Sequence, residues 1–386
     1  MSTEINKITV ATKLPPKSAA RLTKLKLIEK DVFKIAAGDI VFSPALITRN
    51  EVPIILPGTI NLIQGRQGSH KSRLAELICS IMICPEDCSV ESSLDFQRVT
   101  DKKITVIYVD TERNQKEEFP SAIKSILENA GLSDQSECPN FHCTSIKNVD
   151  RKDRLEALKD FISDIRCSSD PLFIILDVAS DCIFNINDPV ESMKLLDYVG
   201  AMCEDLGATF LLVIHENPGS DKARGHVGTE AVNKSATVMH IGFENGANGE
   251  LSKLIQLKFI KQRHSERLDP IPLVFSQETK SLELADSAFV KSMAEQRRKK
   301  VSSQEIVVKL IEYLKPQLDQ KELLNALRKD FGCSLNTLKS RLDEIEADAV
   351  VMENEHGDSC KLKIVSVSGK PTVYELIQVT QGVLVA

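Results

Sequence analysis

Residues 65–72 read Gly-Arg-Gln-Gly-Ser-His-Lys-Ser, and their types suit one task, cradling a chain of phosphates. The phosphate-binding loop pattern is G-x-x-x-x-G-K-[ST]; Gly65, Lys71 and Ser72 fit it, and His70 stands where the second glycine belongs. In such a loop the backbone of Gly65, Arg66, Gln67, Gly68, Ser69, His70, Lys71, Ser72 and Arg73 wraps the phosphates, with the N-terminus of the next helix behind it. Lys71 would pair with the β- and γ-phosphates of ATP, and the Ser72 hydroxyl would coordinate Mg²⁺. A tight strand-to-helix turn with an exposed lysine is the plainer alternative. Histidine is among the few non-glycine residues enriched in left-handed backbone, so position 70 is compatible with the loop, and an imidazole near phosphates would add a donor.

Other chemistry-bearing residues sit at the ends of apolar runs. Asp177 closes "PLFIILD", where a carboxylate would emerge beside the loop and support Mg²⁺. Asp110 and Glu112 follow "VIYV"; Glu112 there could orient and deprotonate an attacking water, or simply cap the next helix. His215 ends "ATFLLVIH" and could sense a γ-phosphate, although a satisfied structural histidine would suit that place equally well. The loop "ENPGSDKARGHVG" carries Lys222 and Arg224, suited either to a nucleic-acid backbone or to plain solvation. In "FIKQRHS", Lys261 and Arg263 stand two apart, so on a strand they project to the same side.

These residues need rigid elements at fixed places. Between residues 45 and 285, "GTINLIQG", "KITVIYVD", "PLFIILDV" and "ATFLLVIH" read as strands, separated by amphipathic helical stretches such as "SRLAELICSIMI". Apolar strands alternating with helices predict an α/β fold with a mainly parallel sheet covered on both faces. "LIQLKFIKQRHS" and "PIPLVFSQ" alternate as antiparallel strands do. Residues 286–302 read as a polar, basic linker, and residues 303–386 as three short helices and a β-ribbon, a small α+β winged-helix-like domain. Residues 1–44 read as an N-terminal arm.

Composition narrows the function classes. The chain has 386 residues, 42% hydrophobic and 27% charged, enough for two domains with sizeable cores. A net charge of −6 excludes a surface built as a whole to collect polyanions. No apolar run is long enough for a membrane span, and ten scattered cysteines fit a reducing cytoplasm. Cys84, Cys88, Cys138 and Cys143 lack the common zinc spacing and read as unligated. Residues 303–386 hold 10 Lys+Arg against 13 Asp+Glu, a balance of −3, so protein docking suits this part nearly as well as DNA recognition.

In their order and spacing these motifs resemble the RecA-like P-loop ATPases of the DnaB/RepA hexameric helicase type, found in plasmids and mobile elements. The similarity covers about residues 45–285. "IILPGTINLIQGRQGSHKS" is similar to their first strand and phosphate loop, "VIYVDTER" to the strand with the catalytic glutamate, and "FIILDV" to the Mg²⁺-supporting strand. "LLVIHENP" is similar to the sensor strand, and "KQR" to the lysine-x-arginine finger. The resemblance implies a RecA-like core that binds ATP and Mg²⁺, with Glu112 as the catalytic base. It implies that Lys261 and Arg263 complete the neighbouring protomer's site in a homo-oligomeric, hexameric ring. It further implies a DNA helicase or remodelling motor acting on single-stranded DNA, with replication or mobilisation proteins as partners. The other reading is an ATP-gated DNA- or protein-binding regulator or loader with little hydrolysis.

Overall fold

The computed structural model describes residues 16–85, 90, 93–99, 103–165, 170–217, 220–245, 251–298, 303–314, 318–354, 357–367, 369 and 371–379. Residues 1–44 and 45–386 form two separate units. The described part of the first holds a single helix, α1 (Pro16–Ala36), where an arm is expected. Its run of Lys, Leu and Ala residues has high helix propensity, and proline is tolerated at the first turn.

The second unit opens with β1 (Ile47–Arg49) and β2 (Val52–Ile55), then β3 (Ile60–Gly65), all six residues of which are buried. Helix α2 (Lys71–Ile83), β4 (Phe96–Arg98) and β5 (Thr105–Asp110) follow. Next come α3 (Glu118–Asn129), β6 (Phe141–Ser145), α4 (Arg154–Ile165), β7 (Leu172–Asp177), α5 (Pro189–Leu206) and β8 (Ala208–His215). Helix α5 is bounded as sequence rules demand: the Asp188 carboxylate accepts from the amides of Val190 and Glu191, and Gly207 closes it in the left-handed conformation. The sheet is completed by α6 (Gly225–Lys234) and the strands β9 (Thr237–Asn245), β10 (Leu251–Gln262), β11 (Ile271–Phe275) and β12 (Leu282–Leu284).

The nine-stranded sheet runs β12-β11-β10-β9-β3-β8-β7-β5-β6. From β9 to β6 all pairs are parallel; β10, β11 and β12 extend it antiparallel. Strand alternation sends side chains to two cores. Val106, Tyr108, Phe173 and Ile175 join α2 and α3 on one face, and Ile107, Val109, Ile174 and Leu176 join the α4–α6 side on the other. A small sheet, β2-β1-β4, adds Ile47, Ile55 and Phe96 to the first of these cores.

The stretch expected as a linker contains α7 (Ser287–Arg298). Beyond it lie α8 (Ser303–Tyr313), β13 (Leu318–Asp319), α9 (Gln320–Phe331), α10 (Leu335–Ala347), β14 (Val351–Glu353), β15 (Ser359–Val365) and β16 (Val373–Gln378). The strands form an antiparallel sheet, β13-β16-β15-β14, over a separate core of Ile306, Leu310, Leu323, Leu327, Leu338 and Leu342, among others. Asp319 and Ser334 cap α9 and α10. Of the apolar positions along α10, Leu338, Leu342 and Ile345 are buried, while Leu335, in the first turn, is 40% exposed. The chain is thus an α/β protein with a large, mainly parallel sheet of the kind a RecA-like core has, and a small C-terminal part of helices and an antiparallel sheet.

Candidate functional site

Four parallel strands end at one crevice, and their register levels the residues. Gly65 pairs with His215 across β3 and β8, and Asp110 with Asp177 across β5 and β7. A cleft of about 680 Å³ opens there, lined by Arg66, Gln67, Glu112, Asp181, His215 and Arg224, among others. Open α/β sheets bind ligands at such carboxyl ends, where crossovers leave a gap.

The loop between β3 and α2 is constrained at both ends. A side chain at Gly65 would collide with the Ile241 carbonyl and the Ser69 hydroxyl, so glycine is required there. At its other end His70 has φ 66° and ψ 24°, the left-handed conformation that histidine tolerates. Its carbonyl accepts the Leu74 amide at 3.0 Å, opening α2. The imidazole stacks on Phe275, with centroids 4.7 Å apart, and meets the edge of Phe243 at 5.4 Å. The ring expected as an extra phosphate donor is therefore packed among aromatics. Burial, and then the charge of Arg73, push its pKa down.

Lys71 is buried, and its Nζ donates to the Arg66 carbonyl at 2.7 Å, bending the side chain back over the loop. Burial lowers its pKa, against the carboxylates of Asp177, Glu112 and Glu216. The Ser72 hydroxyl donates to Asp177 Oδ1 at 3.1 Å. Asp177 Oδ2 accepts from the Tyr108 hydroxyl at 2.8 Å and from Arg113 Nη2 at 3.1 Å. Burial raises the pKa of Asp177, and Arg113, Tyr108 and Ser72 oppose the rise.

Asp110 shapes the turn that presents Glu112. Its Oδ1 accepts the amides of Glu112 and Arg113 at 3.1 and 2.8 Å. Glu112 Oε1 lies 3.4 Å from His215 Nε2, and that contact leads the effects that hold its pKa below the usual carboxylate value, against burial. With its side chain 47% exposed, Glu112 is an accessible carboxylate on the lining of the cleft.

Lys222 and Arg224 are exposed on the loop after β8, which is pinned by a bridge between Glu216 and Ala223. Lys261 and Arg263 do reach the same side. Lys261 Nζ donates to the carbonyls of Val232 and Asn233 at 2.7 and 2.8 Å, and Arg263 donates to Asn233 as well. Both cations thus cap the C-terminus of α6, a favourable end for positive charge, and neither lines the cleft of their own chain.

Several site residues escape the motif reading. Arg113 bonds Asp110, Glu76, Tyr108 and Asp177. Glu76 is buried four residues after Ser72 on α2, and Tyr108 precedes Asp110 by two on β5; those spacings put each on the face of its known neighbour. Glu216 accepts from Gln64 Nε2 at 2.7 Å, and His240 Nε2 lies 3.2 Å from it. With Asp221, Glu216 and His240 form the one trio of metal-ligand type within 4.8 Å among the described residues. Gln64 and Arg66 already engage that trio, through Glu216 Oε1 and the Asp221 carboxylate. Cys84, Cys138 and Cys143 belong to no such group, and Cys88 lies outside the described residues.

The strand feeding the loop of residues 65–72 is separated by a single strand, β8, from the one bearing Asp177, a strand order that RecA-like cores share. No family model matches the chain, and no curated protein matches it. Among solved structures, it is similar to the KaiC-like protein PH0186 from the hyperthermophilic archaeon Pyrococcus horikoshii OT3, at 13% identity and a TM-score of 0.44. That match covers 64% of this chain and 99% of the other. The fold class rests on the chain's own sheet, to which so low a score adds nothing. Among the described residues, no helix is long and apolar enough to cross a membrane.

Proposed function

We propose that this chain is a Mg²⁺-dependent ATPase of the DnaB/RepA-like type, a ring-forming motor that unwinds or remodels DNA. The observation that carries the reading is the bond between Ser72 and Asp177 at the start of α2, with Lys71 and Glu112 within electrostatic reach of each other. A hydroxyl and a buried carboxylate at 3.1 Å, beside a helix N-terminus, suit a small hard cation that carries phosphate, so Ser72 and Asp177 would hold Mg²⁺. When bound, that ion neutralises charge on the phosphates. Lys71 and the amides of residues 65–73 would bind and orient the triphosphate. Glu112, ionised at neutral pH, would align a water with the γ-phosphate and take its proton, and His215 would hold Glu112 in place.

Lys261 and Arg263 lie away from their own cleft, which suits a role in the neighbouring protomer's site of a hexamer. Lys222 and Arg224 would meet single-stranded DNA in the central channel. In this reading residues 45–285 are the motor, 286–302 the joint, and 303–386 a winged-helix-like module that docks DNA or replication and mobilisation proteins.

Steady-state hydrolysis with and without single-stranded DNA tests the motor. DNA-stimulated turnover that falls by about 10²-fold or more in Lys71→Ala and in Glu112→Gln is expected. Position 70 favours a second reading, an ATP-gated regulator or loader: a histidine packed between aromatics could hold the loop too stiffly for fast turnover. Tight ATP binding with negligible hydrolysis, with or without DNA, would sink the motor and favour that switch.

A further inference from the structure

We propose that Arg113 is a positioning residue of this site, holding Asp177 and the Glu112 turn where a Mg²⁺-nucleotide must find them; the inference rests on the ATPase reading above. The guanidinium uses all three of its nitrogens, each toward a different carboxylate. Nε donates to Asp110 Oδ2 at 2.5 Å, Nη1 to Glu76 Oε1 at 2.6 Å, and Nη2 to the Tyr108 hydroxyl and Asp177 Oδ2 at 2.9 and 3.1 Å. Its carbon lies 5.4 Å from the Tyr108 ring centroid and 5.6 Å from that of Phe119, within cation–π range of both rings.

The three carboxylate acceptors belong to different parts of the proposed machinery. Glu76 is on α2, the helix that begins with Lys71 and Ser72. Asp110 ends β5 and shapes the turn carrying Glu112, and Asp177 ends β7. One side chain thus ties together the three elements whose relative positions set the distances between metal ligands, phosphate loop and base. It also occupies the Asp177 oxygen that Ser72 does not, leaving Oδ1 and Ser72 as the edge offered to a cation.

A buried ion pair is weak evidence for stability, because desolvation offsets much of the attraction. If Arg113 served only to neutralise Glu76, Asp110 and Asp177, any arrangement with the same net charge would serve as well. The forked geometry predicts otherwise, since a lysine ammonium is a point donor and cannot span three elements along fixed directions.

The test uses the 386-residue chain and two variants, Arg113→Lys and the charge-matched double variant Glu76→Gln/Arg113→Met, the latter keeping the net charge of the cluster and leaving no carboxylate at Glu76, whose other cation is Arg73. A fluorescent ATP analogue is titrated with Mg²⁺ and again with EDTA, and turnover and thermal melting are recorded alongside. Expected is a Mg²⁺-specific loss. The ratio of Kd in EDTA to Kd in Mg²⁺ falls by about 10–100-fold in both variants, as for residues that orient metal ligands, while affinity in EDTA holds. Turnover falls by about 10²-fold, as for an ångström of misplacement. Wild-type Mg²⁺ dependence and turnover in either folded variant overturn the positioning role while leaving the ATPase reading intact. A wild-type chain that binds no nucleotide in either condition overturns that reading, and this inference with it.

Discussion

At the scale of single residues, the proposal that Glu112 is the base makes the pH dependence of turnover predictable. The contact with His215 is the leading cause of the lowered Glu112 pKa. A base must be ionised, so activity is complete above the folded pKa and is lost as pH falls through it. With Glu112 as that base, the wild-type acid limb is lowered from the ordinary glutamate position. His215→Ala removes the leading cause, so the upward push of burial is opposed only by the charges of Lys71 and Arg113 and the pKa rises from its wild-type position. The acid limb of kcat then moves to higher pH, and a pH–rate profile of the two proteins reads the shift. An unmoved limb would mean that another group controls it. The order of chemistry-bearing residues along the chain was legible because each ends an apolar run. Their partners were not: nothing local to Arg113 announces that Glu76, 37 positions earlier, and Asp177, 64 later, converge on it.

At the scale of elements, the junction of β3 and α2 is where local sequence and tertiary packing meet. The Ile241 carbonyl from β9 passes so close to Gly65 that a methyl group has no room. Gly65→Ala must therefore displace β9 or the loop, at about 1–3 kcal/mol, the usual cost of overpacking. Chemical denaturation would show a lowered midpoint with unchanged slope, and wild-type stability would mean that the loop shifts freely. Buried strands such as β3, β7 and β8 were readable from continuous apolar runs bounded by turn residues. Strand β6 was not, because "FHCTS" sits at the sheet edge and mixes polar with apolar residues. Helix α7 hid in a basic stretch whose polarity marks exposure and says nothing against a helix. His70 carries the same lesson: the motif marks its unusual backbone, but its aromatic partners Phe243 and Phe275 come from strands some 170 to 200 residues away.

At the scale of the whole molecule, the proposed finger residues, Lys261 and Arg263, bear on whether activity belongs to one chain or to several. Within one protomer, Lys261 and Arg263 spend their donors on the end of α6, away from the cleft that Glu112 lines. If they act in a neighbour's site, Glu112→Gln and Arg263→Ala are each inactive for a different side of the same interface. Head-to-tail assembly then makes a mixture informative. Where an Arg263→Ala protomer supplies Glu112 and a Glu112→Gln protomer supplies Arg263, the interface is wild-type at every catalytic position. Random assembly of equal amounts makes roughly a quarter of all interfaces this way. Turnover should therefore reappear on mixing two inactive proteins, provided that they can exchange subunits before ATP and DNA are added. If Arg263 instead serves its own chain, no protomer in the mixture is complete and the rate stays at the level of either variant alone. Light scattering in the presence of ATP supplies the control, since a mixture that remains monomeric removes the interface that the finger needs.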